Sequence, residues 1–434
     1  MSDNNMEDDN QVKMPLNGDS TRWPCSVALV VCALNPGGTQ AVVLGLGRYL
    51  KSCRCQVDVI TVEEPGVWSD RGEEFGLRII DLGGKGKSQF ERACRFIAFM
   101  RNSNYDVVFT NNVPSAHAAL GGIPDKILVV PILHATDGAN ADLATANNAA
   151  WNVVVGVSPA AEQEARLRAP NKSVICITNG INWPSDVSRR EKHLSSPIEL
   201  IWIGRMVQKH KNIFALPAIV YECRQIGIDC HLTIIGWGED GDELKRLVDQ
   251  YEVSDLVTFT GLLEPDETRH RLGDSHVLLF PSVSEGLGMV LLESIAAGCV
   301  PIVSRLPGVT DIVVKDGVNG FLCDPKSAIA FAQAIGELKN NPDLWLTMSK
   351  NSVAMYNEEY TVEAMGRSYT NLIRKGLSGG YPLCKRRSRM PSIDVSVFAK
   401  FSGWPKLATA VISRLISCAA MFCAKKYRTE MKQV

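Results

Sequence analysis

The chain has 434 residues, 45% hydrophobic and 21% charged, with a net charge of −1, so it is long enough to bury two cores of ordinary domain size. Its thirteen cysteines contain no C-x-x-C pair and no Cys/His cluster at zinc spacing, which excludes a disulfide scaffold or zinc ribbon and points to reduced thiols in a cytoplasm. Aromatic residues make up 7%, with no RNP-like strand, P-loop or other nucleic-acid motif, so nucleic acid is not an expected partner.

Residues 1–21 are polar and acidic at their start, which predicts a disordered segment without a secretory signal. Short apolar runs then alternate with segments of helical period, the pattern of parallel sheets built from strand-helix-strand units. Ser26 to Leu34 reads as a buried first strand. VDVITV, LRIID, DVVFT, KILVVPIL and NVVVGV follow as strands, with helices such as Gln89 to Asn102 and Pro159 to Arg168 between them. A second series starts at Ile198 to Gly204 and continues through HLTIIG, LVTFTG, HVLLF and CVPIVS. The polar, turn-rich stretch near Asn182 to Pro197 is the expected linker. The expected divisions are 1–21, a first Rossmann-like domain at 22–190, a second at 191–376, and an extension at 377–434.

Open sheets of this kind bind ligands beyond the carboxyl ends of their strands, and the polar motifs fall there. After the first strand, Gly37 and Gly38 form a tight loop before a helix, exposing backbone amides. This is not G-x-G-x-x-G, which weakens a dehydrogenase reading. His134 stands at the tip of the fifth strand. Arg205 and Lys211 follow the first strand of the second series, where fixed cations can stabilise charge developing on a leaving diphosphate. Lys209 is the poorer alternative to Lys211. Gly236 and Gly238 follow the next strand, and Asp240 and Asp242 spell D-x-D; at the start of a predicted helix, these acids fit the helix dipole better than a metal.

The most informative segment is PSVSEGLGMVLLESIAAGCVPIVS, in which Glu285 and Glu293 have seven residues between them. Gly286, Leu287, Gly288, Met289 and Val290 make a bare turn and the start of a helix at Met289 to Ala297. Free amides at such a start bind anions. Glu293, on the helix, is placed to accept hydrogen bonds from vicinal hydroxyls such as those of a ribose.

Together these motifs, in this order over about residues 26–376, resemble the family-4 retaining glycosyltransferases, glycosyl transferases group 1. The resemblance implies a GT-B fold, α/β, with two facing Rossmann-like domains and a cleft between them. It implies transfer of a sugar from a nucleoside diphosphate sugar to an acceptor hydroxyl, without metal or other cofactor. Gly37 and Gly38 would contact the donor diphosphate, Gly236 and Gly238 the base, and His134 and Glu285 the sugar. Asn179 and Gly180 match the turn leaving the first domain, in a structural role. The acceptor is expected to be a glycan or a lipid-linked molecule used in cell-envelope polysaccharide, lipopolysaccharide or glycolipid synthesis. A sugar-nucleotide epimerase, a phosphorylase or a non-catalytic sugar-nucleotide-binding subunit remain alternatives.

Residues 384–434 carry eleven Lys or Arg against Asp394 and Glu430, so the tail is +9 and the rest −10. Leu407, Val411, Leu415, Cys418 and Phe422 recur at helical spacing, while Arg414 interrupts the apolar run well short of the roughly 20 residues that span a bilayer. The expectation is a basic amphipathic helix lying on an anionic membrane surface, the enzyme being cytoplasmic and peripheral on the inner face. Packing on the protein's own body is the competing expectation.

Overall fold

The computed structural model describes residues 23–184, 193–382, 384, 393, 394 and 397. In the first half, β1 (Ser26–Val31) leads to α1 (Gly38–Ser52), β2 (Gln56–Thr61), α2 (Ser69–Glu74), β3 (Arg78–Asp81), α3 (Gln89–Asn102), β4 (Val107–Asn111), α4 (Pro114–Ala119), β5 (Leu128–Leu133), α5 (Gly138–Thr145), β6 (Val153–Gly156), α6 (Pro159–Arg168) and β7 (Ser173–Cys176). Its seven strands pair in parallel in the order β3-β2-β1-β4-β5-β6-β7.

The second half runs β8 (Ile198–Ile203), α7 (Gln208–Lys211), α8 (Ala215–Gln225), β9 (Cys230–Ile235), α9 (Gly241–Gln250), β10 (Val257–Gly261), α10 (Pro265–Asp274), β11 (Val277–Phe280), α11 (Met289–Ala296), β12 (Val300–Ser304), α12 (Thr310–Val313), β13 (Phe321–Cys323), α13 (Ala328–Asn340), α14 (Pro342–Glu359) and α15 (Val362–Leu377). Its six strands are parallel in the order β10-β9-β8-β11-β12-β13. Both sheets are doubly wound, as expected. The strand order reverses between β1 and β4 and again between β8 and β11, so each sheet has a crevice where a ligand can lie between diverging loops.

Local chemistry sets the element ends. Ser88 caps α3 by accepting from the Glu91 amide, and Glu91 returns the bond to the Ser88 amide, so this helix starts where the sequence places it. Ser158 caps α6 with Pro159 in its first turn. The first strand is shorter than expected, because beyond Val31 the backbone turns away: the Leu34 amide donates to the Pro65 carbonyl, and the Trp68 amide to that of Leu34. The short edge strands β7 and β13 carry little periodicity and were not expected as strands.

Although α15 follows the second sheet in sequence, it packs on the first domain, where a Cβ on Gly366 would sit 2.1 Å from the Tyr49 ring and one on Gly376 2.3 Å from Leu128. A bridge between Ile181 and Thr361 ties the outgoing and returning chain together.

Beyond residue 382, the four described residues also lie on the first domain. Cys384, Ile393 and Val397 are buried, and the Asp394 amide donates to the Ala118 carbonyl. The basic amphipathic segment from Leu407 to Phe422, and the acidic start of the chain, lie outside the described residues. Among the described residues no helix is long and apolar enough to cross a membrane.

Candidate active site

The loops beyond β1, β4 and β5 face those beyond β8, β9 and β11 across the gap between the sheets. At the end of β5, the His134 Nε2 lies 2.8 Å from Asn111 Oδ1, at the end of β4. Asn111 in turn donates its amide to the Val30 carbonyl at 3.1 Å. That second bond fixes the amide with its oxygen towards the ring, so Nε2 carries the proton and Nδ1 is left as an acceptor. Burial pushes the His134 pKa down to about 4, so the imidazole is neutral at physiological pH. It is suited to hold a hydroxyl, not to donate a proton as an acid. Asn111 was not expected from the sequence; its only signal is a buried amide ending an apolar strand.

Opposite it, Glu285 follows β11. Its Oε1 receives a 2.6 Å ion pair from Lys211 Nζ, with the Glu285 side chain only 10% exposed. Lys211 ends α7, and its ammonium also lies 5.6 Å from the centre of the Phe280 ring. Lys209, by contrast, points to solvent, which favours Lys211 as the site cation. The two domains meet at this point. Thr136 Oγ1 donates to the Glu285 carbonyl at 2.9 Å, and a Cβ on Gly286 would lie 1.9 Å from the His134 carbonyl oxygen. His134, Glu285, Gly286 and Lys211 are therefore brought together where the two domains meet.

The second meeting point joins two helix starts. Gly38 opens α1 and Met289 opens α11, and a Cβ on Gly38 would come within 2.7 Å of Met289 Cγ. Gly288 caps α11 with φ +87, a conformation that glycine adopts without strain, while its Cα packs towards the Phe280 ring. The opening amides of each helix precede its first bonded amide, Ala41 in α1 and Leu291 in α11, so two sets of donors flank one gap. Leu287 is buried in the core, which leaves its backbone, and not its side chain, for any ligand contact.

Arg205 is exposed after β8, and its carbonyl accepts from the Val207 amide. The loop is held from below by Gly236 and Gly238: a Cβ at these positions would lie 1.9 Å from the Gly204 oxygen and 2.3 Å from the Met206 oxygen. Between them, Trp237 is 65% exposed at the rim. Asp240 Oδ2 accepts from the Gln208 amide at 2.7 Å, while Asp242 is fully exposed and lies 3.6 Å from Lys245. One acid of the D-x-D thus clamps the Arg205 loop and the other sits on the outer surface of α9. Among the described residues no three His, Cys, Asp or Glu side chains group closely enough to hold a metal ion.

A cavity of about 710 Å³ runs from this gap along the domain boundary, lined at one end by Gly37, Gly38, Met289, Val290 and Glu293. Burial pushes the Glu293 carboxyl up to about 7, partly offset by the Arg269 charge. The sign of the consequence is fixed: the folded state holds a proton that the unfolded chain releases near its ordinary pKa of 4.5, so stability falls as pH rises from there to about 7. Glu293→Gln removes that cost. The variant is expected to be more stable than the parent by about 1–3 kcal/mol at pH 8 and to lose the advantage near pH 5, read by urea unfolding at both values. An advantage that does not change with pH would remove the buried-carboxylate account.

Comparison with known sequences agrees with this geometry. The profile of "Glycosyltransferase Family 4" matches residues 36–182 and that of "Glycosyl transferases group 1" residues 186–355, one on each domain and most of the chain between them. The chain belongs to the family-4, group 1 glycosyltransferases. It is 26% identical over 220 residues to a putative colanic acid biosynthesis glycosyltransferase, WcaL, of Escherichia coli K12, covering 48% of this chain and 53% of that protein. It is 27% identical over 278 residues to the N-acetyl-alpha-D-glucosaminyl L-malate synthase of Bacillus anthracis, covering 59% and 70%. The match thus spans about half the length of the colanic acid relative. Among solved structures, Anabaena HepE in complex with UDP and glucose superposes with a TM-score of 0.66 at 16% identity, covering 80% of this chain and 99% of that one, a likeness of fold. Within the GT-B fold so identified, the glycosyltransferase motifs lie where the two domains touch.

Proposed function

We propose that the chain is a retaining glycosyltransferase that moves a hexosyl-type unit from a nucleoside diphosphate sugar to an acceptor hydroxyl, without a metal ion, in assembling a cell-envelope glycan or glycolipid. The carrying observation is the Lys211–Glu285 ion pair held against the His134 strand end, with helix-start amides on either side of the same gap. In this reading the diphosphate lies against Arg205, Lys211 and the first amides of α11, the ribose on Glu293, and the sugar between Glu285 and His134. The base lies by the Gly236 and Gly238 loop.

The positions support a division of labour. Arg205 and Lys211 stabilise the charge that grows on the leaving diphosphate, which is the work a metal ion does elsewhere. Glu285, paired with Lys211, accepts sugar hydroxyls and faces the developing positive charge on the ring. Neutral His134 accepts a hydroxyl through Nδ1. The acceptor proton passes late to the departing diphosphate on the same face of the sugar, so configuration is retained and no protein base is required. The proposed setting is cytoplasmic, with the +9 tail on an anionic membrane surface and a lipid-linked or glycan acceptor. The relatives named for polysaccharide synthesis support the pathway class.

The test is a thermal-shift panel of UDP-, GDP- and ADP-sugars on the full chain, because a ligand that binds only the folded state raises its stability. One nucleotide series should stabilise it, and turnover of that donor should survive excess EDTA. Strict dependence of turnover on added Mn²⁺ would return Asp240 and Asp242 to the mechanism.

A further inference from the structure

The ligand edge of the first sheet continues past His134 in a row of polar residues to which the donor reading gives no role. In the order β2, β1, β4, β5, the chain just beyond the strands carries Glu63, Cys32, Asn112 and His134. These positions stay in step: the Glu63 amide donates to the Cys32 carbonyl at 2.9 Å, and the Cys32 thiol to the Asn112 carbonyl at 3.7 Å. Burial first, and the Glu63 charge second, push that thiol up to about 12, so it stays protonated as the donor. Asn112 follows Asn111, the residue bonded to His134, and consecutive α-carbons are about 3.8 Å apart. Neighbouring strands are about 4.8 Å apart, which puts Glu63, two strands further along, about 10 Å beyond Asn112.

Two members of the row lack something a ligand would supply. Asn112 Oδ1 is shielded from water and has no partner among the described residues, on a backbone at φ +52 that asparagine adopts more readily than most side chains. Rotation about the last bond of the amide is soft, so it can turn either end to an incoming group. Glu63 is a carboxylate held in place: Arg92 pairs with it and is itself fixed by donating from Nε to the Gly84 carbonyl at 3.0 Å. The guanidinium is 14% exposed and the carboxylate 34%, so the carboxylate keeps an open side. Charge here is balanced pair by pair. Glu64 pairs with Lys85, and the Lys87 charge acts on Glu91 at the cap of α3. An anionic ligand would meet the Glu63 charge in a site whose cations are already opposed, whereas hydroxyls find a carboxylate and an amide to donate to.

We propose that the reacting end of the acceptor is an uncharged sugar lying along this row, with one hydroxyl bonded to the Asn112 amide and a vicinal pair donating to Glu63, so that the hydroxyl next to His134 attacks the donor sugar. The assignment rests on the transferase reading and names its acceptor class. Reach is satisfied, because the contact nearest the reacting carbon is one residue from the partner of His134. The bond formed joins that hydroxyl oxygen to the anomeric carbon, the bond broken joins the anomeric carbon to the diphosphate, and the hydroxyl proton leaves with the diphosphate. Arg92 touches no substrate. It is a positioning residue that acts through Glu63.

The test is a ligand-observed NMR titration of the full-length protein with methyl glucoside, galactoside and mannoside, each beside its uronate and its 6-phosphate, in saturating nucleoside diphosphate. At least one neutral hexoside should bind, about tenfold or more tighter than its anionic forms. Glu63→Gln should weaken it by about tenfold or more and Asn112→Ala by about threefold to tenfold, the scales of losing a charged and a neutral hydrogen bond. Arg92→Gln should weaken it too, but not in a Glu63→Gln background, a coupling that a merely structural arginine would not show. Nucleoside diphosphate affinity should stay at the parental value in all three, and melting temperatures separate loss of the site from loss of the fold. Asn112→Ala breaks no ion pair, so it decides the matter if the Glu63 or Arg92 variants unfold. Parental hexoside affinity in Asn112→Ala and Glu63→Gln, an anionic form binding as tightly as the neutral one, or no hexoside binding in the parent would overturn the proposal. So would hexoside binding that Glu285→Gln abolishes and Glu63→Gln spares, since that puts the hexoside in the donor sugar's place. Failure of the parent to bind any nucleoside diphosphate counts instead against the transferase reading, and the Asn112 comparison is then read without nucleotide.

Discussion

Lys211→Ala is expected to lower turnover by about 10²–10³-fold, the scale of losing one group that stabilises charge developing in the transition state. Arg205→Ala should fall in the same range. The two differ in a second readout. Arg205 is exposed and unpaired among the described residues, so its loss should leave the melting temperature nearly unchanged. Lys211 pairs with a carboxylate that is only 10% exposed, so its loss leaves Glu285 largely buried and without that partner and should also destabilise the fold. Lys211→Ala combined with Glu285→Gln should recover that stability without recovering turnover. Donor turnover at the parental rate in purified Lys211→Ala would remove the cation from the mechanism.

Gly286→Ala should be nearly as damaging, for a different reason. Its backbone is not in the left-handed region, so alanine is locally acceptable and the second domain should fold normally. The obstacle is in the other domain, where the new methyl would lie 1.9 Å from the His134 carbonyl oxygen. Backbone cannot move aside as a side chain can, so the loops must part by about an ångström, a displacement that typically costs about 10²-fold in rate. Turnover should fall by that amount, while nucleotide affinity and melting temperature stay close to those of the parent. Gly288→Ala is the contrast: at φ +87 it strains the start of α11 itself and should weaken nucleotide binding as well. Equal turnover in Gly286→Ala and the parent would mean that the contact of these loops is not part of the reacting state.

The same contrast shows what could be read from the sequence. Glu285, Arg205 and His134 were picked out because each follows a buried apolar strand, which in a parallel sheet sends a residue to the ligand edge, and because the segments around them, Lys211 included, resemble the family's in order. The helices Gln89–Asn102 and Pro159–Arg168 were legible to the residue because Ser88 and Ser158 cap them. Contacts between residues far apart in the chain were not. Nothing near Gly286 announces that its neighbour is the His134 carbonyl, and nothing near His134 announces Asn111. The glycines at 236 and 238 were read as ligand-facing, whereas each also leaves room for a carbonyl of the Arg205 loop. Asp240 was placed at a helix start, but its bond to the Gln208 amide depends on the fold of a loop from another strand. The return of α15 to the first domain is equally invisible locally, since its apolar face would suit either body.

The two chain crossings lie side by side. Besides the Ile181–Thr361 bridge, the Tyr356 hydroxyl donates to the Ile181 carbonyl at 3.2 Å and accepts from the Trp183 amide at 3.1 Å. Adjacent crossings tied in this way act as one axle, which limits relative movement of the bodies chiefly to a single rotation. Asn179, the residue at which the chain reaches that axle, touches Met289 through a 3.6 Å contact to its sulfur. The start of α11 therefore sits near the pivot, where a rotation displaces atoms least. In the proposed transferase, a nucleotide held there would move less on such a rotation than the sugar contacts at the Gly286 and His134 loops, so that holding the donor and reacting it would be separated by leverage.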